Sequence, residues 1–323
     1  LLLCAGARFD DRITGKVDAF APEAKIIHVD VDPAEQGKVR RPDVPIVGDA
    51  NYVILEIIRE IKELLQGGTR QADTSAWKSK ISGWREQFPM TYEPSEPGGL
   101  LKPQYCIEQL NKYAPKGTIV ASGVGQHQMY TSQYWKFNDP YTWVNSGGLG
   151  TMGFSIPAAI GAKAAMPDRT VWAVDGDGCF QMTATELVTA TLEKLPIKVA
   201  LLNNSFLGMV RQWQEMFYDE RYSSVFLDSA NVPNFVMMAE SMGCVGILVE
   251  SPEEVGPAIE RANSINDRTV VVEFRTDATE GVFPMVPAGA GNSELILHPT
   301  QSDPTRTLQP EPKPIDTKLK DAH

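Results

Sequence analysis

Two short stretches carry the side-chain oxygens from which a cation site could be built. Gly176-Asp177-Gly178 sets a carboxylate between two glycines, and Asn203-Asn204 offers amide oxygens after a gap of 24 residues. Both are hard donors of the kind Mg²⁺ or Ca²⁺ takes, and Mg²⁺ held by so few protein groups keeps positions open for phosphate oxygens. The glycines let backbone approach such a phosphate closely, and N–H groups at the start of a following helix attract it. Either stretch alone reads as an ordinary turn or helix entry; the chemistry lies in the pair.

The pair requires elements that bring its halves together. Thr170–Val174 is a continuous apolar run that reads as a buried strand ending at the Gly-Asp-Gly turn. A helix over Gln181–Lys194 and a strand over Ile197–Leu202 fill the gap, making one βαβ crossover. Neighbouring parallel strands present their C-terminal ends on the same sheet edge, so Asp177 and Asn204 are expected to converge. Around this unit the pattern predicts a helix at Pro103–Tyr113, a strand at Thr118–Ala121 and a small-residue helix from Met152 to Ala165. Further helices are expected near 206–217, 233–242 and 252–264, with strands at 244–249 and 269–275. The fold class is α/β with doubly wound parallel sheets.

An earlier strand–helix region occupies residues 1–66, with strands at Leu1–Cys4, Lys25–Val31 and Val44–Val47 and a helix at Tyr52–Leu65. Residues 67–101 hold Gly67-Gly68, Pro89, Pro94, Pro97 and Gly98-Gly99 and read as a linker, part of it a short amphipathic helix carrying Trp77 and Trp84. The second domain is expected over 102–287, and the proline-rich tail 288–323 reads as partly disordered.

Composition narrows the class. The 323 residues are 42% hydrophobic and 22% charged with a net charge of −11, which disfavours nucleic acid and anionic membrane surfaces as partners. Four dispersed cysteines without a CxxC argue against a thiolate zinc site or a disulfide framework and suit a reducing, cytoplasmic setting. The opening Leu1-Leu2-Leu3-Cys4 resembles the middle of a core strand, so the chain is expected to be the C-terminal portion of a longer polypeptide. An organelle remains open, because a targeting signal would lie in the missing part.

From the first Gly to the second Asn, the paired stretches resemble the diphosphate motif of the thiamine diphosphate enzymes. That resemblance implies a metal, Mg²⁺, held by Asp177, the Asn204 side chain and the Phe206 carbonyl, with Gly178 and Cys179 beside the diphosphate. Gly123-Val124-Gly125-Gln126-His127-Gln128-Met129 and Ser146-Gly147-Gly148-Leu149-Gly150-Thr151-Met152-Gly153 look like acetohydroxyacid (acetolactate) synthase, catalytic subunit. By that likeness Val124, Gly150 and Met152 contact the cofactor rings and Gly125 is also at the cofactor, Met152 filling the wedge between the rings, where a flexible thioether suits an irregular gap. Gln126 and His127 would lie near the diphosphate or the reacting carbon, and a histidine titrating near neutrality can move protons or donate hydrogen bonds. The run Asn203-Asn204-Ser205-Phe206-Leu207-Gly208-Met209-Val210-Arg211-Gln212-Trp213 is similar to the same family. It implies Met209 against the pyrimidine and Trp213 in the substrate channel, favouring 2-ketobutyrate as second substrate.

In the first region Gly6-Ala7-Arg8-Phe9-Asp10-Asp11-Arg12, Asp30 and Gly48-Asp49 resemble the FAD-contacting central domain of these synthases. Gly6, Arg8, Asp10, Arg12, Asp30 and Asp49 are therefore expected at FAD, which in this family is structural.

The resemblance implies an enzyme that decarboxylates pyruvate on thiamine diphosphate and joins the hydroxyethyl unit to a second pyruvate or 2-ketobutyrate, in branched-chain amino acid biosynthesis. It further implies a homodimer or homotetramer and a small regulatory subunit. The family's N-terminal domain, with the glutamate that protonates the aminopyrimidine, has no match here, so the chain alone is expected to be inactive. A pyruvate oxidase-like enzyme and a non-catalytic cofactor-binding fragment share the same motifs. A nicotinamide dehydrogenase lacks support, since no GxGxxG opens a helix in either domain.

Overall fold

A computed structural model describes residues 1–96 and 98–297. It divides the chain into two compact units, Leu1–Pro89 together with Phe283 onward, and Met90–Val282. The break falls inside the stretch expected to be a linker.

The first unit is built on a three-stranded parallel sheet in the order β1 (Leu2–Ala5), β2 (Ile26–Asp30), β3 (Val44–Val47). A one-turn helix α1 (Asp11–Thr14) follows β1, and α2 (Ala50–Gln66) follows β3, its first turn capped by the Asp49 carboxylate, which accepts from the N–H groups of Asn51 and Tyr52. The short helix expected inside the linker is α3 (Ser75–Gln87), where Trp77 and Trp84 meet edge to face with Lys80 over both rings. Part of the segment read as a disordered tail also has defined partners. Gly291 bridges to Gly15, Lys16 N–H donates to Ala290 O, and Asn292 donates to Ile13 O. Polar backbone closing on polar backbone leaves no hydrophobic signature, so a composition reading misses it. Residues 298–323, the rest of the expected tail, lie outside the described residues.

The second unit is a six-stranded, wholly parallel sheet with strand order β5-β4-β6-β7-β9-β8. Its strands are β4 (Ile119–Ser122), β5 (Trp143–Asn145), β6 (Val171–Gly176), β7 (Lys198–Asn203), β8 (Val245–Val249) and β9 (Val270–Arg275). Helices α4 (Pro103–Tyr113), α5 (Gln126–Tyr134), α6 (Ser155–Ala165), α7 (Asp177–Thr183), α8 (Leu187–Leu192), α9 (Gly208–Phe217), α10 (Phe235–Ser241) and α11 (Pro252–Ser264) connect them. Successive side chains in a strand face opposite sides, and both sides are buried. Val120, Trp172, Val174, Ala200 and Leu202 enter one apolar cluster; Ile119, Ala121, Val171, Ala173, Val199 and Leu201 enter another. That is why β6 and β7 read as unbroken apolar runs.

Three element boundaries differ from the sequence reading. The small-residue helix starts at Ser155, not Met152, because Gly150 and Gly153 both take positive φ and turn the chain ahead of it. The helix after β6 begins at Asp177 itself and breaks into α7, a 3₁₀ turn and α8, so Gly176-Asp177-Gly178 is a strand-to-helix junction without a loop. Residues 126–145, given no element by the sequence reading, supply α5 and the edge strand β5.

Between β4 and β6 the strand order reverses, β5 lying to one side and the remaining strands to the other. The crevice at the C-terminal ends of such strands is where open α/β sheets bind ligands. Registers Ser122↔Val174 and Gly176↔Leu202 bring the ends of β4, β6 and β7 level there. Among the described residues no helix is long and apolar enough to cross a membrane.

A lysine is buried at one end of this sheet. Lys198, at the start of β7, is 2% exposed, and its Nζ donates to Ile265 O. Burial, reinforced by the Lys163 charge, pulls its pKa down from 10.5 to about 8. Between these two values the unfolded chain holds the proton and the folded chain releases it, so stability rises with pH across that window and is flat below it. Measured against Lys198→Met by urea unfolding, the unsubstituted chain should gain up to about 3 kcal/mol from pH 8 to 10.5; parallel pH profiles would contradict this.

Candidate functional site at the sheet edge

β6 delivers Asp177 to the first residue of α7, where its side chain is 1% exposed. One carboxylate oxygen accepts from Ser229 Oγ. Burial pushes the Asp177 pKa up to about 6, against the opposing pull of the Ser229 hydroxyl and neighbouring backbone N–H groups. A carboxyl this deep, with no ion-pair partner among the described residues, is a place where a bound cation lowers the free energy.

β7 delivers the two asparagines, and they do different work. Asn203 is structural: its Nδ2 donates to Glu273 at 2.7 Å and Ser229 O at 2.9 Å, and its Oδ1 accepts from Ser205 N–H. Asn204 faces the cavity. Its Oδ1 accepts from Phe206 N–H at 3.0 Å and its Nδ2 lies 3.4 Å from Gln126 Oε1. Ser205 holds φ at 60°, the bend that carries the chain from Asn204 round to Phe206.

A cavity of about 290 Å³ opens at this edge. Val124, Gly125, Gln126, His127, Gly150, Met152, Asp177, Gly178, Cys179, Asn204, Phe206 and Met209, all singled out from the sequence, line it together. The sequence reading missed Leu207 and Gly208, which also line it, and they sit within a motif already quoted. Trp213 instead lines a neighbouring hollow with Gln214, Tyr218 and Arg221, which shares Met209 and Val210 with the cavity wall.

Behind the cavity lies a polar cluster that the sequence reading assembled only in part. His127 is buried, and its Nε2 stands 3.5 Å from Asp175 Oδ1 with no hydrogen-bond partner of its own. Asp175, which the sequence reading passed over as part of a buried strand, is held through Oδ2 by Ser155 Oγ at 2.5 Å. Cys179 Sγ completes the group and accepts from Gly153 N–H at 2.8 Å and Val124 N–H at 3.4 Å, so the thiol joins two cavity loops. Burial pushes the Asp175 pKa up to about 7 and the His127 pKa down to about 3. Of the two roles open to it from the sequence, a neutral imidazole fits hydrogen bonding at the wall better than proton transfer near neutrality.

In the first unit the flagged residues gather round the end of β1. Gly6 takes φ 67°, Arg8 pairs with Asp10 at 3.1 Å, and exposed Arg12 pairs with Asp11 at 3.4 Å. Asp10 Oδ1 is buried without a partner, whereas Asp30 accepts from Asp32 N–H and Asp49 is engaged as the α2 cap.

Residues 123–274 match the family described as thiamine pyrophosphate enzyme, C-terminal TPP binding domain, and residues 1–58 match the thiamine pyrophosphate enzyme central domain. The chain belongs to the thiamine pyrophosphate enzymes. It is 52% identical over 297 residues to the acetolactate synthase large subunit of Corynebacterium glutamicum, covering 91% of this chain and 47% of that protein. Identity is 52% over 298 residues to acetolactate synthase of Mycobacterium leprae, with the same shares of 91% and 47%. It is 40% over 306 residues to the isozyme 3 large subunit of Escherichia coli, covering 93% of this chain and 52% of that protein. The chain thus spans about half the length of the curated relatives it matches.

The residues present fit the family's cofactor. The buried Asp177 carboxylate, the Asn204 amide oxygen and the Phe206 carbonyl form an all-oxygen donor set suited to Mg²⁺, beside apolar walls from Val124, Met152 and Met209.

Backbone closeness is a further condition of this thiamine pyrophosphate site. A Cβ at Gly123 would overlap Asp175 Oδ1, Cys179 Sγ and His127 Nε2 together. Gly123→Ala should therefore lower stability by about 1–3 kcal/mol and weaken thiamine diphosphate binding, read by thermal unfolding with and without cofactor. Unchanged melting and binding would show that the cluster yields freely.

Proposed function

We propose that the intact protein is the catalytic subunit of an acetolactate synthase. Pyruvate loses CO₂, and the remaining two-carbon unit is joined to a second pyruvate or to 2-ketobutyrate, giving 2-acetolactate or 2-aceto-2-hydroxybutyrate for branched-chain amino acid synthesis. The observation that carries this reading is the identity of about half to acetolactate synthases across nine-tenths of the chain, combined with one cavity that gathers the residues flagged for the cofactor.

Thiamine diphosphate, when bound, supplies the electron sink that decarboxylation needs. The chain's own residues bind, orient and exclude water. Asp177, Asn204 and the Phe206 carbonyl would hold Mg²⁺ and, through it, the diphosphate. Gly178 leaves the backbone open there, since a Cβ would crowd Leu207 and Leu227. Met152, Val124 and Met209 give the rings an apolar bed, with Gly150 turning the loop beneath them. His127 presents a neutral ring at the wall. Trp213 and Val210 on α9 would border the second ketoacid, where Trp213 stacks obliquely on Phe217 at 4.9 Å.

FAD would sit at the end of β1 in the first unit, with Gly6 and Arg8 at a phosphate and Asp10, whose Oδ1 lacks a partner, at a hydroxyl. Arg12, Asp30 and Asp49 would lie further along that edge. In this reading the protein works in the cytoplasm or an organelle as a homodimer or homotetramer with a small regulatory subunit.

Two outcomes test the reading in full-length protein. Asp177→Ala should weaken Mg²⁺-dependent thiamine diphosphate binding by at least about 100-fold, followed by calorimetry; equal affinity would remove the metal assignment. With pyruvate and 2-ketobutyrate in competition, Trp213→Leu should shift products toward 2-acetolactate by about tenfold, and an unchanged ratio would take Trp213 out of the specificity pocket. Net flavin reduction during turnover would instead indicate an oxidase.

A further inference from the structure

Gln212 lies on α9, 3% exposed, with its side chain turned inward. Its orientation is fixed by backbone: Oε1 accepts from Val282 N–H at 2.9 Å, and Nε2 donates to Val282 O at 3.1 Å. The same Oε1 accepts from Gln126 Nε2 at 2.9 Å. Gln126 Nε2 also donates to Glu280 O at 3.1 Å, so both of its N–H groups are engaged away from the cavity. Gln126 Oε1 must then face Asn204, where only a donor is compatible, and Asn204 Nδ2 meets it at 3.4 Å. That leaves Asn204 Oδ1 on the other side, accepting from Phe206 N–H and keeping a second lone pair.

An amide has an oxygen end and a nitrogen end of nearly equal size, and only the oxygen can ligate a hard cation. Flipping Asn204 would set Oδ1 against Gln126 Oε1 and Nδ2 against Phe206 N–H. Flipping Gln126 would set its oxygen against Gln212 Oε1 and Glu280 O. Gly208 makes the junction possible, because a Cβ there would overlap Gln126 Oε1 and crowd Asn204 Nδ2 at 2.8 Å.

We infer that Gln212 is a positioning residue for the metal: through Gln126 it dictates that Asn204 presents oxygen, not nitrogen, to a divalent cation. Val282 N–H, remote from the cavity, is the origin of that polarity, and Gln212 and Gln126 transmit it. Gln126 accordingly acts on the cation through Asn204. This inference rests on the Mg²⁺ reading above.

The test exploits a side chain that has no wrong end. A carboxylate at position 204 offers oxygen whichever way it turns. In full-length protein saturated with thiamine diphosphate, Mg²⁺ affinity is measured by calorimetry for Gln212→Met, Asn204→Asp and the double variant. Gln212→Met should weaken Mg²⁺ binding about tenfold when Asn204 is present and less than about twofold in the Asn204→Asp background, in keeping with the usual weight of partners that orient a ligand. Gln212→Glu keeps the acceptor for Val282 and Gln126 and should retain affinity within about threefold, which preserves the test if Gln212→Met does not fold. Equal losses in both backgrounds, or no loss with Asn204 in place, would overturn the inference while leaving the Mg²⁺ site standing. No Mg²⁺ binding by the unsubstituted protein would overturn both.

Discussion

A carboxyl group buried at the end of a parallel sheet, with no ion-pair partner among the described residues, is the constraint round which the second unit is arranged. Asp177 is almost wholly removed from water, and removal from water alone disfavours its charge. Its one side-chain partner, Ser229, also receives Asn203 through its carbonyl, so the strand end, the asparagine pair and the acid are tied into a single unit. The sheet makes this possible by covering both faces with apolar side chains and leaving only its C-terminal edge polar. A polar group at that edge can be completed by a ligand, which one inside the sheet could not reach.

Much of this was legible before any coordinates. A gap of one helix and one strand between the Asp and Asn motifs implied adjacent parallel strands, and β6 and β7 do pair, Gly176 opposite Leu202. The apolar runs of β6, β7 and β9 gave their positions because burial on both faces leaves no alternation to misread. What stayed hidden was of two kinds. Junctions without loops, such as the start of α7 at Asp177, carry no turn residue beyond the glycines already assigned to chemistry. Buried polar partners were the second: Asp175 sits in an apolar strand and Gln212 on a helix otherwise read for Met209 and Trp213. Their importance comes from neighbours distant in the chain, Ser155 and His127 for one, Val282 and Gln126 for the other.

The polar groups near the cavity fall into two layers with different demands. Asp177, Asn204 and Phe206 face the space where a cation would sit, and each needs an available oxygen. Asp175, Asn203 and Gln212 lie behind, with Gln126 and Cys179 at the wall, and their hydrogen-bonding capacity is largely consumed by protein. A site of this kind is rigid because its back layer is closed, and receptive because its front layer is not.

The glycines bear on how such an enzyme can change. At Gly123, Gly176, Gly178 and Gly208 a single added carbon would meet an atom at 3 Å or closer, in the first two cases the polar cluster itself. At these four positions the cavity is thus shaped by main chain, which exchange of neighbouring side chains does not reshape gradually. The α9 end is shaped by the side chains of Val210 and Trp213, which a single substitution can resize. Change in the shape of this cavity is therefore channelled to one half-buried helix, while the main-chain end stays fixed.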